Sequence, residues 1–438
     1  MHGGEVAVGE RRFDVTGITR VEGEGSLRLA VRDGNVTEAH LAIFEAPRYF
    51  EQLVLGRTPD DVLDIVARIC GICPVAYQMS AVHAFEDLLG VVIDPSVRAL
   101  RRLLYCGEWI ESHALHVYLL HAPDFAGLAS AVELARVDRA AVERGLAIKR
   151  VGNRLVSLLG GRPIHPVSVR VGGFSRVPRA ADLAQIRPEL DDALRGALAT
   201  MDWVAGFSVP DFERDPLLVS LRHATDYPMN EGRIVSNDGM DIEPGAWESA
   251  FQEQQVPWSH ALQARDRDGR AYLLGPASRV TLAGEQLHPL ALAALDRSGL
   301  ATAIARNPYW GIAARAVEIV HAVAVAIEII DGYGEPARPM EPWAPGPGIA
   351  AWATEAPRGL LFHRYRLDER GRIAEASIVP PTSQNQAAIE ADLTAFAPMV
   401  LGLDHAAATH RFEQLIRSYD PCISCATHFL DLRVEDQS

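Results

Sequence analysis

Two Cys-x-x-Cys pairs at opposite ends of the chain limit its folding more than any other feature. Cys70 and Cys73 lie in RICGICPVAYQ, Cys422 and Cys425 in DPCISCATH, and together they take four of the five cysteines. Two thiolates at this spacing can face one ion, and thiolate selects soft and borderline metals. The two ends are therefore expected to fold together around one four-thiolate centre, buried between N- and C-terminal segments. Sulfur chemistry alone leaves three readings open. One is a structural zinc or iron–sulfur site, although zinc pairs usually lie about 10–20 residues apart in a small ribbon. The second is redox thiols. The third is a catalytic metal centre that draws on both ends of a large domain.

The chain has 438 residues, enough for a large core, with a formal net charge of −15 and a pI near 5.5. That balance disfavours nucleic acid, which needs clustered basic charge, and an anionic membrane surface. MHGGEVAVGERRFDV carries no apolar signal region; Arg11-Arg12 precedes a strand-like segment instead. With cysteines confined almost wholly to the proposed site, the expectation is a cytoplasmic protein. Ala314–Ile330 is the most apolar helical stretch, but Arg315, Glu318, His321 and Glu328 interrupt it. It reads as a core helix rather than a membrane span.

Residues Phe13–Phe44 alternate in strand fashion, with a hairpin turn at Asp33–Asn35. TPDDVLDIVARIC looks like a capped helix that delivers Cys70 near its end: Thr58 caps, Pro59 suits the first turn, and Asp60 and Asp61 favour the dipole. Further helices are expected from Pro74 to Leu89, from Asp94-Pro95 to about His121, over Val132–Leu159 and Ala180–Val204, and at Ala314–Ile330. Arg162–Pro178 reads as strand and turn, and Val209–Val280 as short strands and loops. A second hairpin is expected at Leu360–Val379, followed by helices at Gln384–Ala397 and His405–Tyr419. The pattern predicts one α+β domain over residues 1–438, helix-dominated, with a central bundle of long helices and small peripheral sheets.

The wider motifs resemble the large, catalytic subunit of nickel–iron hydrogenases. TRVEGEG at Thr19–Gly25, Glu51, RICGIC, SHALHVYLLHAPDF at Ser112–Phe125, EAPRG at Glu355–Gly359, PPTSQN at Pro380–Asn385 and DPCISCATH occur in the family's order. The quinone-binding subunit of respiratory complex I shares the fold in outline but typically lacks both cysteine pairs. The resemblance implies reversible oxidation of H2 to protons and electrons at one nickel and one iron, the iron carrying carbon monoxide and two cyanides. It assigns Cys70 and Cys422 to nickel alone, and Cys73 and Cys425 to bridging positions. Glu22 becomes the proton relay. Arg358, after Pro357, overhangs the metals and donates to a cyanide, with Asp420 holding it; Thr382 donates to the second cyanide. Glu51, His428 and the carbonyl of Ile378 become ligands of a second metal, commonly magnesium.

The chain departs from the family at three places. Glu24 stands where a histidine is common, and Ser112 where relatives carry a second acid. Tyr77 replaces a histidine four residues after Cys73, as in soluble NADP-linked bidirectional enzymes. Cys106 belongs to no motif and is expected to be a buried thiol. No Rossmann fingerprint or further cluster cysteines are present, so the resemblance implies a small iron–sulfur partner subunit and, beyond it, flavin and NAD(P)-binding subunits. The alternatives are a deazaflavin- or viologen-linked assembly, and a non-catalytic scaffold or electron-transfer subunit like the complex I relative. The resemblance also implies a maturation endopeptidase that cuts between His428 and Phe429, removing residues 429–438.

Overall fold

The computed structural model describes residues 11–33 and 35–427. Three antiparallel strands open it: β1 (Arg11–Val15), β2 (Gly25–Arg32) and β3 (Asn35–Ile43), in that spatial order. The expected hairpin is therefore present, with β1 added at its edge. Helix α1 (Pro59–Val66) starts as the sequence predicts. Thr58 accepts from the Asp61 amide at 3.2 Å, and Asp61 accepts from the Thr58 amide at 3.1 Å, a reciprocal capping box. It stops earlier than expected, at Val66, so Cys70 lies in the turn beyond it rather than on the helix.

The bundle consists of α2 (Pro74–Leu89), α3 (Pro95–Leu115), α4 (Arg139–Gly160), α5 (Arg187–Ala205) and α6 (Gly311–Asp331). Helix α3 packs on α4 and α6, and α6 on α5. Helix α3 does not stop at its last regular residue but continues through a wider π-helical turn at His116–His121. Two stretches read as single helices are each split. Asp138 leaves helical geometry, and its side chain caps the start of α4 by accepting from Ala141 at 2.9 Å. Pro188 sits in the first turn of α5, where its missing N–H costs nothing. Helix α6 is buried along most of its length, and among the described residues no helix is long and apolar enough to cross a membrane.

Several elements escaped the sequence reading, among them the helices Pro276–Ala283, Pro289–Ser298 and Ala301–Arg306 and one strand. Strand β4 (Gly348–Ala356) pairs with β5 (Gly359–Leu367), which pairs with β6 (Ile373–Val379). Its alanines carry weak strand preference, yet small side chains let the sheet lie close against α2. Helices α7 (Pro381–Val400) and α8 (His405–Ser418) complete the fold and pack under β3 and beside β1. The largest apolar cluster runs from α1 through the bundle and includes all four paired cysteines.

Candidate metal centre

Four sulfurs from the two ends of the chain meet in the core. Cys70, Cys73, Cys422 and Cys425 are all buried, and their sulfurs lie within 4.8 Å of one another. Cys70 is 3.4 Å from Cys422, Cys73 is 3.5 Å from Cys425, and Cys422 is 2.8 Å from Cys425. Thiolates bound to one metal at about 2.3 Å can be at most about 4.6 Å apart, and the three contacts of 3.4, 3.5 and 2.8 Å fall inside that limit. Burial pushes the Cys422 thiol up, and the neighbouring cysteines, Cys425 first, push it further. Cations that replace the protons relieve both penalties.

Local structure explains how each sulfur is placed. Cys73 is the residue at the N-terminus of α2, whose dipole favours a thiolate there. No side chain from Cys73 caps that helix. Glu108 of α3 does so instead, accepting from the amides of Val75 at 2.6 Å and Ala76 at 3.2 Å. Burial holds Glu108 well above the usual carboxylate range, the two amides opposing. Sequence reasoning missed Glu108; a glutamate inside a buried helix face was the available signal.

The C-terminal pair is positioned by the N-terminal motif. Glu22 and Cys422 form a parallel bridge, with the Ile423 amide donating to the Glu22 carbonyl at 2.9 Å. A Cβ added at Gly23 would come 2.7 Å from Ile423 Cβ, and one at Gly25 would come 2.7 Å from Ile423 Cδ1. The two glycines of EGEG thus make room for Ile423, and Gly23 also needs its φ of +87°. On the opposite side, Arg48 donates to the carbonyls of Ser424 and Ile69, tying both cysteine segments together.

The residues carried by the motifs converge on this cluster. Glu22 Oε2 lies 3.1 Å from Cys422 Sγ and accepts from the Ser424 amide at 3.0 Å. Pro357 and Arg358 form the two-residue turn between β4 and β5. Arg358 Nε donates to the Asp420 carbonyl at 2.8 Å and Nη2 to its carboxylate at 3.1 Å. Burial opposes the Arg358 charge, but Asp420 and the neighbouring sulfurs outweigh it and push the pKa further above its ordinary value. Arg358 Nη1 is buried and has no acceptor among the described residues. Asp420 has φ +53°, so a left-handed residue turns the chain from α8 into Pro421 and Cys422. The Thr382 hydroxyl accepts from the Cys422 amide at 3.0 Å.

The three departures also find places. Tyr77 is buried, and its hydroxyl is pushed well up by burial first and then by Cys425 and Cys73. Ser112 is buried, its hydroxyl without a partner among the described residues. The positive group nearest the free side of Asp420 is Arg315 of α6, 3.9 Å away, which the sequence reading did not connect to the site. Glu24 is exposed, with its amide on Glu45. Cys106 is buried away from the cluster, as expected.

Glu51 and Ile378 are brought together, the Ile378 amide donating to Glu51 at 2.8 Å. Burial lifts the Glu51 pKa to about 7. Glu253, on the strand Phe251–Gln255, is raised well above normal by burial and then by Glu51. That second acid was not identified from sequence. His428 and the predicted cleavage point lie outside the described residues.

The family model described as nickel-dependent hydrogenase matches residues 48–146 and 298–428, which contain both cysteine pairs. Sulfhydrogenase 1 subunit alpha of Pyrococcus furiosus is 32% identical over 95% of this chain and 97% of its own length. The NAD-reducing hydrogenase HoxS subunit beta of Cupriavidus necator is 27% identical over 96% of this chain and 95% of its own. Among solved structures, an NAD+-reducing [NiFe]-hydrogenase in the H2-reduced state superimposes with a TM-score of 0.85 at 25% identity, covering 95% of this chain and 99% of that one. A thiolate cluster assembled from both ends, matched at both ends by one family and along nearly its whole length by relatives, places the chain in the nickel-dependent hydrogenase family as a catalytic, H2-oxidising large subunit.

Proposed function

We propose that this subunit activates H2 at a nickel–iron pair held by Cys70, Cys73, Cys422 and Cys425, with Glu22 as the group that takes the proton away. The observation that carries this reading is Glu22 Oε2 at 3.1 Å from Cys422 Sγ. When bound, the metals supply heterolytic cleavage of H2 and acceptance of its electrons. The protein's part is to hold the sulfurs, exclude bulk water and receive a proton within hydrogen-bond reach. Cys70 and Cys422 would bind nickel alone, and Cys73 and Cys425 would bridge.

The donors around the cluster suit an iron bearing diatomic ligands with basic ends. Arg358 Nη1 has no acceptor among the described residues, and the Thr382 hydroxyl, already accepting from Cys422, has no described acceptor for its own proton. Both would donate to cyanide, with Pro357 against the carbon monoxide. Asp420 keeps the Arg358 fork in plane and charged. Glu51, with the Ile378 carbonyl and His428, would hold magnesium. Glu51 is raised by burial, and Glu253 by burial and then by Glu51, so a cation here would lower the cost of two half-buried carboxylates.

Electrons would leave through a small iron–sulfur subunit. The exposed Phe44, Tyr49, Leu53 and Leu55, following β3, offer apolar area for such a partner. NAD(P), reached through flavin and iron–sulfur subunits, is the acceptor that the likeness to NAD-reducing enzymes favours. An endopeptidase would remove residues 429–438 after metal loading, which intact mass of the active chain tests. The central test is metal analysis with infrared spectroscopy on the purified complex. Nickel and iron near one each per chain, with carbon monoxide and cyanide bands, are expected; zinc in place of nickel, or no such bands, would overturn the reading.

A further inference from the structure

A cleft of about 460 Å³ opens between α3, α6 and the loops around residues 225–227 and 285–289. It contains none of the residues assigned to hydrogen chemistry. Its charged groups are mostly matched. Arg98 is forked onto Glu231 and bound to Asp226 at 2.9 Å. Glu285 pairs with Arg222, and Glu328 with His288 Nε2 at 3.1 Å. Two groups stand apart. The half-buried Arg102 has one bond to protein, from Nη2 to the Tyr227 carbonyl at 2.9 Å, and no carboxylate within ion-pair distance among the described residues. His321 is 1% exposed and lines the cleft with a buried Nε2 that has no partner among the described residues.

The state of His321 follows from its other nitrogen. Nδ1 accepts from the His288 amide at 2.9 Å, so it carries a lone pair and not a proton. Burial first, and then Arg102, lower the ring's pKa to about 3, so the imidazole is neutral and Nε2 bears the hydrogen. That excludes Nε2 as a metal ligand in this arrangement and makes it a donor. A donor buried without an acceptor is unfavourable, and a guanidinium held partly out of water gains from a directly bonded anion, since Asp226 and Glu231 act on Arg102 only at longer range. An oxyanion relieves both at once. The ten-residue helix Pro289–Ser298 also begins at this cleft and adds the positive end of its dipole.

We infer that the cleft is a binding site for a small oxyanion, a phosphate or a polycarboxylate, with Arg102 and the His321 Nε2–H as its two recognition donors. The site is independent of the proposed proton and metal roles. Calorimetric titration of the purified complex with inorganic phosphate and, separately, with citrate tests it and distinguishes the two sources. Saturable binding of one probe at one site per large subunit is expected. Arg102→Gln should weaken it at least about tenfold, the scale of a lost charge-assisted hydrogen bond. His321→Asn provides the second arm: its carboxamide oxygen can still accept from His288, while nothing stands where Nε2–H stood. It should also weaken binding, with H2 oxidation unchanged in both variants. No saturable binding of either probe, or equal affinity in wild type and in whichever variants fold, overturns the assignment.

Discussion

Two buried arginines meet the same hairpin turn, and they are used in opposite ways. Arg279 directs every N–H of its guanidinium to protein: Nε and Nη2 to Glu318 at 2.7 and 2.8 Å, Nη1 to Glu355 at 2.8 Å, and Nη1 and Nη2 to the carbonyls of Ala356 and Pro357 at 3.0 and 2.9 Å. Its face lies 4.3 Å from the Trp109 ring, and Glu318 gains a further bond from Tyr227, with His113 Nε2 2.9 Å away. Arg358, in the turn itself, spends Nε and Nη2 on Asp420 and leaves Nη1 without an acceptor among the described residues. Both cost several kcal/mol to desolvate, so the difference is informative. A closed network holds the frame; an open one faces chemistry. Arg279 fixes the carbonyls that precede Arg358, so the first arginine aims the second.

The largest effect that could break this contrast is loss of a sulfur. Cys422→Ser should remove nickel to background and abolish H2 oxidation, because a hydroxyl is a poor ligand for a soft centre; normal nickel in that variant would separate the cluster from the metals. Glu22→Gln keeps shape but cannot accept a proton. Hydrogen–deuterium exchange should fall by about 10²–10⁴-fold with metal content intact, and near-normal exchange would remove Glu22 from the proton route.

A crossed pair then addresses the arginines directly. Arg279→Met leaves Glu318 and Glu355 buried without their counter-ion and should lower stability by about 3–5 kcal/mol in denaturant titration. Arg358→Lys keeps charge but loses the planar fork. It should cut turnover about 100-fold, as for a lost transition-state donor, with a much smaller change in stability. Equal stability losses in the two variants would collapse the distinction. The smallest effect is at Tyr77→Phe, where removal of a buried hydroxyl should change stability by less than about 1 kcal/mol. The infrared bands should nonetheless shift, since this ring lies beside Cys73 and Cys425; unchanged bands would make Tyr77 simple packing.

The motifs made the first arginine's neighbour legible and not the first arginine. Arg358 sits in EAPRG and Asp420 in DPC, so both could be named from the chain alone, and the structure pairs them. Arg279 occupies an unremarkable stretch, PASRVTLA, and its partners Glu318 and Glu355 are far away in sequence. Only packing brings them together, and no local periodicity records it. The same holds for Glu108, whose role is to satisfy amides of another helix. Helix starts were readable where side chains cap locally, as at Thr58, because both partners lie within one turn. Strand β4 was not, because alanine is chosen there for its size against α2 rather than for backbone preference.

The cysteine pairs also set an order in time. Cys70 and Cys422 touch across 352 residues, and Glu22 meets Cys422 across 400. At about 5–20 residues per second of synthesis, roughly 20–70 s separate the emergence of the first pair from that of the second. Throughout that interval a nascent chain can present only two of its four thiolates, however well its helices have formed. A loaded centre therefore has to wait for the second pair, the segment that turns half a binding site into a whole one.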